Sequence, residues 1–181
     1  MNVKKIGQSL IAAALLCFVA APTAHARAPK VRHKMLAEGS RPPQFHLTDS
    51  GGHSVTLTPF LGRDRTLLVF APMSDSADAE RFVKRVEASK SQYTERDLAV
   101  LVIVPPTSDL AKMPSDKPLY FFTDTKSNTA AAYGLTAKSG FYLIGKDGGI
   151  KMARHGFPTE KELFATIDTM PMRRQEMKEK P

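Results

Sequence analysis

The chain has 181 residues, with 26 lysines and arginines against 18 acids, a formal charge of +8, and a single cysteine, Cys17. That length suits one domain with a full core. One cysteine excludes a disulfide framework, so stability has to come from packing.

The first 26 residues have the pattern of an export signal. Lys4 and Lys5 open it, an apolar run from Leu10 to Ala21 follows, and Ala24-His25-Ala26 is a small-x-small cleavage site. The run is too short to span a bilayer, which takes about 20 apolar residues, and no other stretch is long and apolar enough. Cys17 lies inside this run with Leu15 and Leu16 before it, which is not a lipid-attachment pattern. Cleavage after Ala26 leaves a periplasmic or secreted chain with no cysteine and no thiol chemistry.

Residues 27–38 form a basic arm containing Arg27, Lys30, Arg32, His33 and Lys34. Such an arm either solubilises or touches an anionic surface such as lipid or polysaccharide, and export argues against nucleic acid. The domain is expected over residues 39–171. Phe45-His46-Leu47-Thr48 and residues 53–58 alternate as half-buried strands. Between them, Asp49-Ser50-Gly51-Gly52 supplies turn chemistry.

Residues 66–71 are a continuous apolar run, the pattern of a strand buried on both faces, ended by Pro72. Ser74, Asp75 and Ser76 offer oxygens to cap a helix. Ala79, Phe82, Val83 and Val86 then fall on one helical stripe. A second buried strand covers residues 98–104 and ends at Pro105-Pro106, with a parallel pairing and right-handed crossover implied between the two strands. A proline-bearing loop to Pro118, a short strand at Tyr120-Phe121-Phe122 and a short helix over residues 127–133 come next. Residues 140–144 and 150–154 read as a hairpin around Gly145-Lys146-Asp147-Gly148-Gly149. Thr159 and Glu162 stand in capping-box spacing before a last helix, which carries Leu163, Phe164, Ile167 and Met170. Pro171 is expected to stop that helix and leave residues 172–181 as a charged tail.

This order, together with Arg41-Pro-Pro-Gln-Phe45, Leu68 to Pro72, and Phe141-Tyr-Leu-Ile-Gly-Lys-Asp-Gly148, resembles thioredoxin-like and peroxiredoxin-like domains. Three further stretches are more distinctive: Glu95-Arg96-Asp97-Leu98, Gly145-Lys-Asp-Gly-Gly-Ile-Lys151, and the segment from Leu163 through Arg173-Arg174-Gln175-Glu176-Met177. With residues 59–177 they resemble a domain of unknown function in bacterial secreted proteins and in animal sushi-repeat-containing and coiled-coil-domain-containing matrix proteins. The resemblance implies an α/β thioredoxin-like fold, a central mixed sheet flanked by helices, and supplies no catalytic residues.

At the junction where that fold places its redox cysteines, this chain has Met73, Ser74, Asp75, Ser76, Ala77 and Asp78. The facing proline before Phe141 is replaced by Ser139-Gly140. Disulfide exchange needs a thiolate, and serine and aspartate do not substitute. The candidate binding face is therefore Met73, Ser74, Asp75, Ser76, Asp78, Ser139 and Gly140, with no catalytic residue assigned.

Arg173 and Arg174 are candidate anion contacts, or they pair with the domain's own acids and helix carbonyls. His33, His46, His53 and His155 lack metal-ligand spacing. Met170, Met172 and Met177 are soft ligands suited to Cu(I), but equally apolar filler. No metal or cofactor is assigned. Three roles remain open: a redox-inactive binding module of the cell envelope taking a protein or an anionic component, an enzyme of cysteine-free chemistry at the same face, or a polyanion or membrane-surface binder acting through the basic ends.

Overall fold

A computed structural model describes residues 34–136 and 138–179. The export-signal reading and the basic residues before Lys34 lie outside these. Seven strands form one mixed sheet in the order β2-β1-β5-β4-β3-β6-β7. The strands are β1 (Leu47–Thr48), β2 (Ser54–Val55), β3 (Arg65–Phe70), β4 (Leu98–Val104), β5 (Leu119–Thr123), β6 (Gly140–Ile144) and β7 (Ile150–His155). The helices are α1 (Ser76–Ala88), α2 (Lys90–Glu95), α3 (Asn128–Ala132), α4 (Glu160–Asp168) and α5 (Pro171–Glu179).

The two apolar runs are the centre of the sheet. β3 and β4 pair in parallel, with Leu68 opposite Leu101, and every residue of both is buried. β6 closes the other side of β3 antiparallel, setting Tyr142 against Leu68. Because strand side chains alternate, the runs serve two cores. Leu67, Val69, Val100 and Val102 pack under Phe82, Val83 and Val86 of α1, Tyr93 of α2, and Leu163, Phe164 and Ile167 of α4. Leu68, Phe70, Leu101 and Ile103 face Phe45, Leu57, Phe60, Tyr133 and Leu135. Burial on both faces explains why neither run alternates in sequence.

Several elements differ from the sequence expectations. The first hairpin pairs over two residues per strand, because the backbone turns at Leu57, whose carbonyl accepts from the Phe60 N–H at 3.0 Å, and both side chains enter the core. Residues 34–38, expected to belong to a basic arm, lie against the domain. Met35 and Leu36 pack on the second core, and the Leu36 N–H donates to the Tyr142 hydroxyl at 3.0 Å. The strap crosses Gly134, whose φ is +73° and where a Cβ would stand 2.6 Å from the Lys34 carbonyl oxygen. It then meets the outer edge of β7, exchanging Gly39 N–H to Ile150 O at 2.8 Å and Ile150 N–H to Ser40 O at 2.9 Å.

The supposed tail is a correction of the same kind. Pro171 does not end the helical region; it opens α5. Proline is favoured at a first helical position, where its missing N–H costs nothing. α5 is then fixed by charges that pair with the rest of the domain, as described below.

Candidate functional site

β3 delivers the chain to the candidate face. Pro72 breaks the ladder, Met73–Asp75 form one 3₁₀ turn, and α1 starts at Ser76. Asp75 occupies the cap position but makes no side-chain cap. Its carboxylate is used elsewhere. Oδ2 accepts the Ser139 backbone N–H at 3.1 Å, and Oδ1 accepts the Ser74 hydroxyl at 2.9 Å. Hydrogen bonds from Ser139 and Ser74 hold the Asp75 carboxyl below the usual carboxylate range. Residues from opposite halves of the proposed face are thus joined by one bond.

The remaining members separate into surface and support. Met73 is 49% exposed. Ser74 and Asp78 are exposed, Ser76 is half-buried, and Asp78 pairs with Arg81 one turn on. Ser139 and Gly140 are buried, which corrects their placement on a binding surface. A Cβ on Gly140 would lie 2.5 Å from Leu135 Cδ2 and 3.0 Å from the Arg154 carbonyl oxygen, so the glycine is there for close packing. The accessible face is therefore Met73 to Asp78.

Arg173 is not an anion contact but takes its alternative role, pairing with the domain's own acids. It is 2% exposed and internally paired, donating to Glu95 Oε1 at 2.6 Å and to the Glu95 carbonyl at 2.9 Å, with Asp168 at 3.4 Å. Asp168 in turn accepts from Arg96 at 2.8 Å, and the Arg96 guanidinium sits 4.4 Å over the Phe164 ring. One turn beyond Arg173, Glu176 accepts from Lys146 at 2.7 Å and from buried Arg65 at 3.1 Å. Lys146 also reaches Asp97 at 2.8 Å.

The four cations Arg65, Arg96, Lys146 and Arg173 therefore meet the four carboxylates Glu95, Asp97, Asp168 and Glu176. The distinctive sequence stretches converge here into a neutral cluster with no surplus positive charge for an external anion. Arg174 alone of the candidate pair points to solvent. Met170 packs against the first core, while Met172 and Met177 are 49% and 42% exposed. Among the described residues no cluster of three or more histidine, cysteine or acidic groups is arranged to hold a metal, and no helix is long and apolar enough to cross a membrane.

A cavity of about 170 Å³ lies at the carboxyl ends of β3 and β4, beside Pro72. Phe70, Ile103, Pro105 and Pro106 line it, and Asp124, just past β5, joins them. Ends of neighbouring parallel strands are where open α/β sheets bind ligands. In sequence Asp124 has only the look of a turn residue between a short strand and a short helix. The signal that points to it is its place after β5, next to the strand that ends in two prolines.

Chains similar to this one include a putative thiol:disulfide interchange protein DsbE from Chlorobium tepidum, at TM-score 0.59 and 20% identity over 73% of this chain and 99% of that one. The reduced 2-Cys peroxiredoxin of Plasmodium vivax aligns at TM-score 0.61 and 17% identity over 77% and 84%. A putative thioredoxin from Neisseria meningitidis aligns at 0.55 and 23% over 72% and 89%. No curated protein matches. With the mixed sheet and its flanking helices, these likenesses define a thioredoxin-like domain. Residues 56–176 match the model of the domain of unknown function DUF4174, and the chain belongs to that family.

Proposed function

We propose that this protein is an exported, redox-inactive thioredoxin-like module that binds an envelope protein or an anionic envelope component through Met73 to Asp78. The observation that carries the reading is the state of the junction after β3. Ser74 to Asp78, with no sulfur, stand where the resemblance places the redox cysteines, the Met73 thioether is exposed just before them, and the Asp75 carboxylate is tied down by Ser139. Two features favour binding over catalysis. No thiol follows residue 26. The Asp75 carboxyl is shifted downward, making it a weaker base than an ordinary aspartate, whereas general bases are tuned toward neutral pH. The pattern of residues 1–26, which reads as an export signal, supports a role outside the cytoplasm.

The test is site-specific photocrosslinking in intact cells. A photoreactive residue at Met73 is expected to capture a discrete partner that the same residue at Lys161, on α4, does not. Equal capture at both positions, or none at Met73, overturns the reading.

A further inference from the structure

We infer that the cavity between β3, β4 and α3 is a binding site for an aliphatic ammonium group, a short apolar stem with a cationic head. The site adjoins the Met73–Asp78 face at Pro72 but shares none of its residues, and its argument stands without that reading. Three observations carry it.

The floor is apolar: Phe70, Ala71, Ile103, Val104 and Leu135 line an open cleft of about 170 Å³, a volume on the scale of a four-carbon chain and its head group. Asp124 is the one ionisable side chain among the described residues lining it. Its Oδ2 accepts the Ala130 N–H at 2.8 Å, which fixes the carboxylate in place, and a carboxylate offers about four acceptor sites, so capacity remains for a ligand. Finally, among the described residues the rim carries no cation. Thr125, Ser127 and Thr136 place hydroxyls there that can accept as well as donate, and Pro72, Pro105 and Pro106 have no N–H. One carboxylate beside a largely apolar pocket repels anions and suits a donor with positive charge, with the hydroxyls free to turn their lone pairs to it.

The turn that presents the carboxylate is held in an uncommon conformation. The Ser127 N–H donates to the Asp124 carbonyl at 3.1 Å, with Ser127 at φ +52°. A non-glycine residue in the left-handed region is maintained only where its surroundings over-determine it.

Two sources share this chemistry, a small free amine and a lysine side chain of a partner. The experiment is a two-dimensional amide NMR titration of the purified chain. The probes are butylammonium chloride, 1-butanol, the blocked peptide acetyl-Ala-Lys-Ala-amide and its norleucine counterpart. Butylammonium is expected to shift the Phe70, Ile103, Ala130 and Leu135 amides, and butanol is expected to leave them unmoved at equal concentration. Asp124→Asn, which keeps an acceptor for the Ala130 N–H, is expected to weaken ammonium binding at least tenfold. Ala130→Leu, which fills the cavity, is expected to abolish it. Binding by the lysine peptide as well assigns the site to a protein ligand; binding by butylammonium alone assigns it to a small amine. No shift with either, equal response to butanol, or retained affinity in the asparagine variant with an otherwise native spectrum overturns the inference.

Discussion

Glu176 and Arg65 lie 111 positions apart, yet both Arg65 Nη2–Glu176 distances are short, 3.1 and 3.2 Å. The pair ties the last helix to the first residue of the central strand. Arg65 also donates to the Arg96 carbonyl at 2.8 Å, so the guanidinium is satisfied only when α5 is docked. Removing the carboxylate leaves a buried cation short of its partner. Breaking such pairs costs several kcal/mol when both ions are deep. Glu176 retains 22% side-chain exposure, which screens part of the effect. Glu176→Ala is expected to lower unfolding free energy by about 2 kcal/mol, read as a lower urea midpoint with unchanged slope.

The acid limb of stability follows from the same cluster. Burial pushes Glu176 up, but hydrogen bonds from Lys146 and Arg65 outweigh it and leave the carboxyl below its ordinary value. Asp168 behaves likewise, with burial opposed and exceeded by Arg96 and Arg173. A carboxylate lowered in the folded state contributes stability above its unfolded pKa and loses it as pH falls through the folded one. Stability is expected to hold down to about pH 5 and to fall below about pH 4. Urea midpoints across pH check this, and Glu176→Gln should flatten the acid limb.

The alkaline side has the opposite sign. Burial lowers Lys146, but hydrogen bonds to Asp97 and Glu176 raise it further, for a net upward shift. A raised cation contributes fully below its unfolded pKa and loses its contribution as pH rises through the folded value. Lys146→Met is expected to remove the part of the stability loss that begins above about pH 10, measured by the same titration.

Gly134 has a steric role that alanine cannot meet. The residue sits at φ +73° with the strap's backbone against it. Gly134→Ala is expected to destabilise the fold by about 1–2 kcal/mol from the left-handed backbone alone. Displacement of residues 34–38 should accompany it, seen as faster proteolysis before Gly39.

Asp75→Ala tests the tether across the candidate face. The mutation removes the acceptor for the Ser139 N–H. Hydrogen exchange at that amide is expected to quicken roughly tenfold or more, with the global unfolding midpoint nearly unchanged because no core side chain is lost.

Much of this architecture was legible in sequence because its signals are local. The apolar runs at residues 66–71 and 98–104 lack alternation, and both are buried on two faces. Thr159 accepts the Glu162 N–H at 3.3 Å, the half of the capping box that its spacing foretold. What sequence did not disclose depends on distant partners. Nothing near Pro171 announces that Arg173 and Glu176 have partners at Glu95, Arg65 and Lys146, so a helix with poor amphipathic pattern read as a tail. Asp75 likewise looked like a cap, because a capping oxygen and a cross-chain acceptor are the same group until the fold supplies Ser139. Asp124 was hidden for a related reason: a turn aspartate becomes a cavity wall only when β4 and β5 are side by side.

The strap along β7 limits how this protein meets copies of itself. Besides the backbone exchange at Ile150, Glu38 accepts from the Ala153 N–H at 3.4 Å and pairs with Arg154. One rim of the sheet is thereby covered at Ile150 and Ala153, and the opposite rim, β2, is two residues long. Strand-to-strand joining needs a run of unpaired backbone groups, and among the described residues the strap interrupts such a run on β7 while β2 is too short to supply one. A mutation that lifts the strap would therefore lengthen the bare sheet edge as well as weaken the fold.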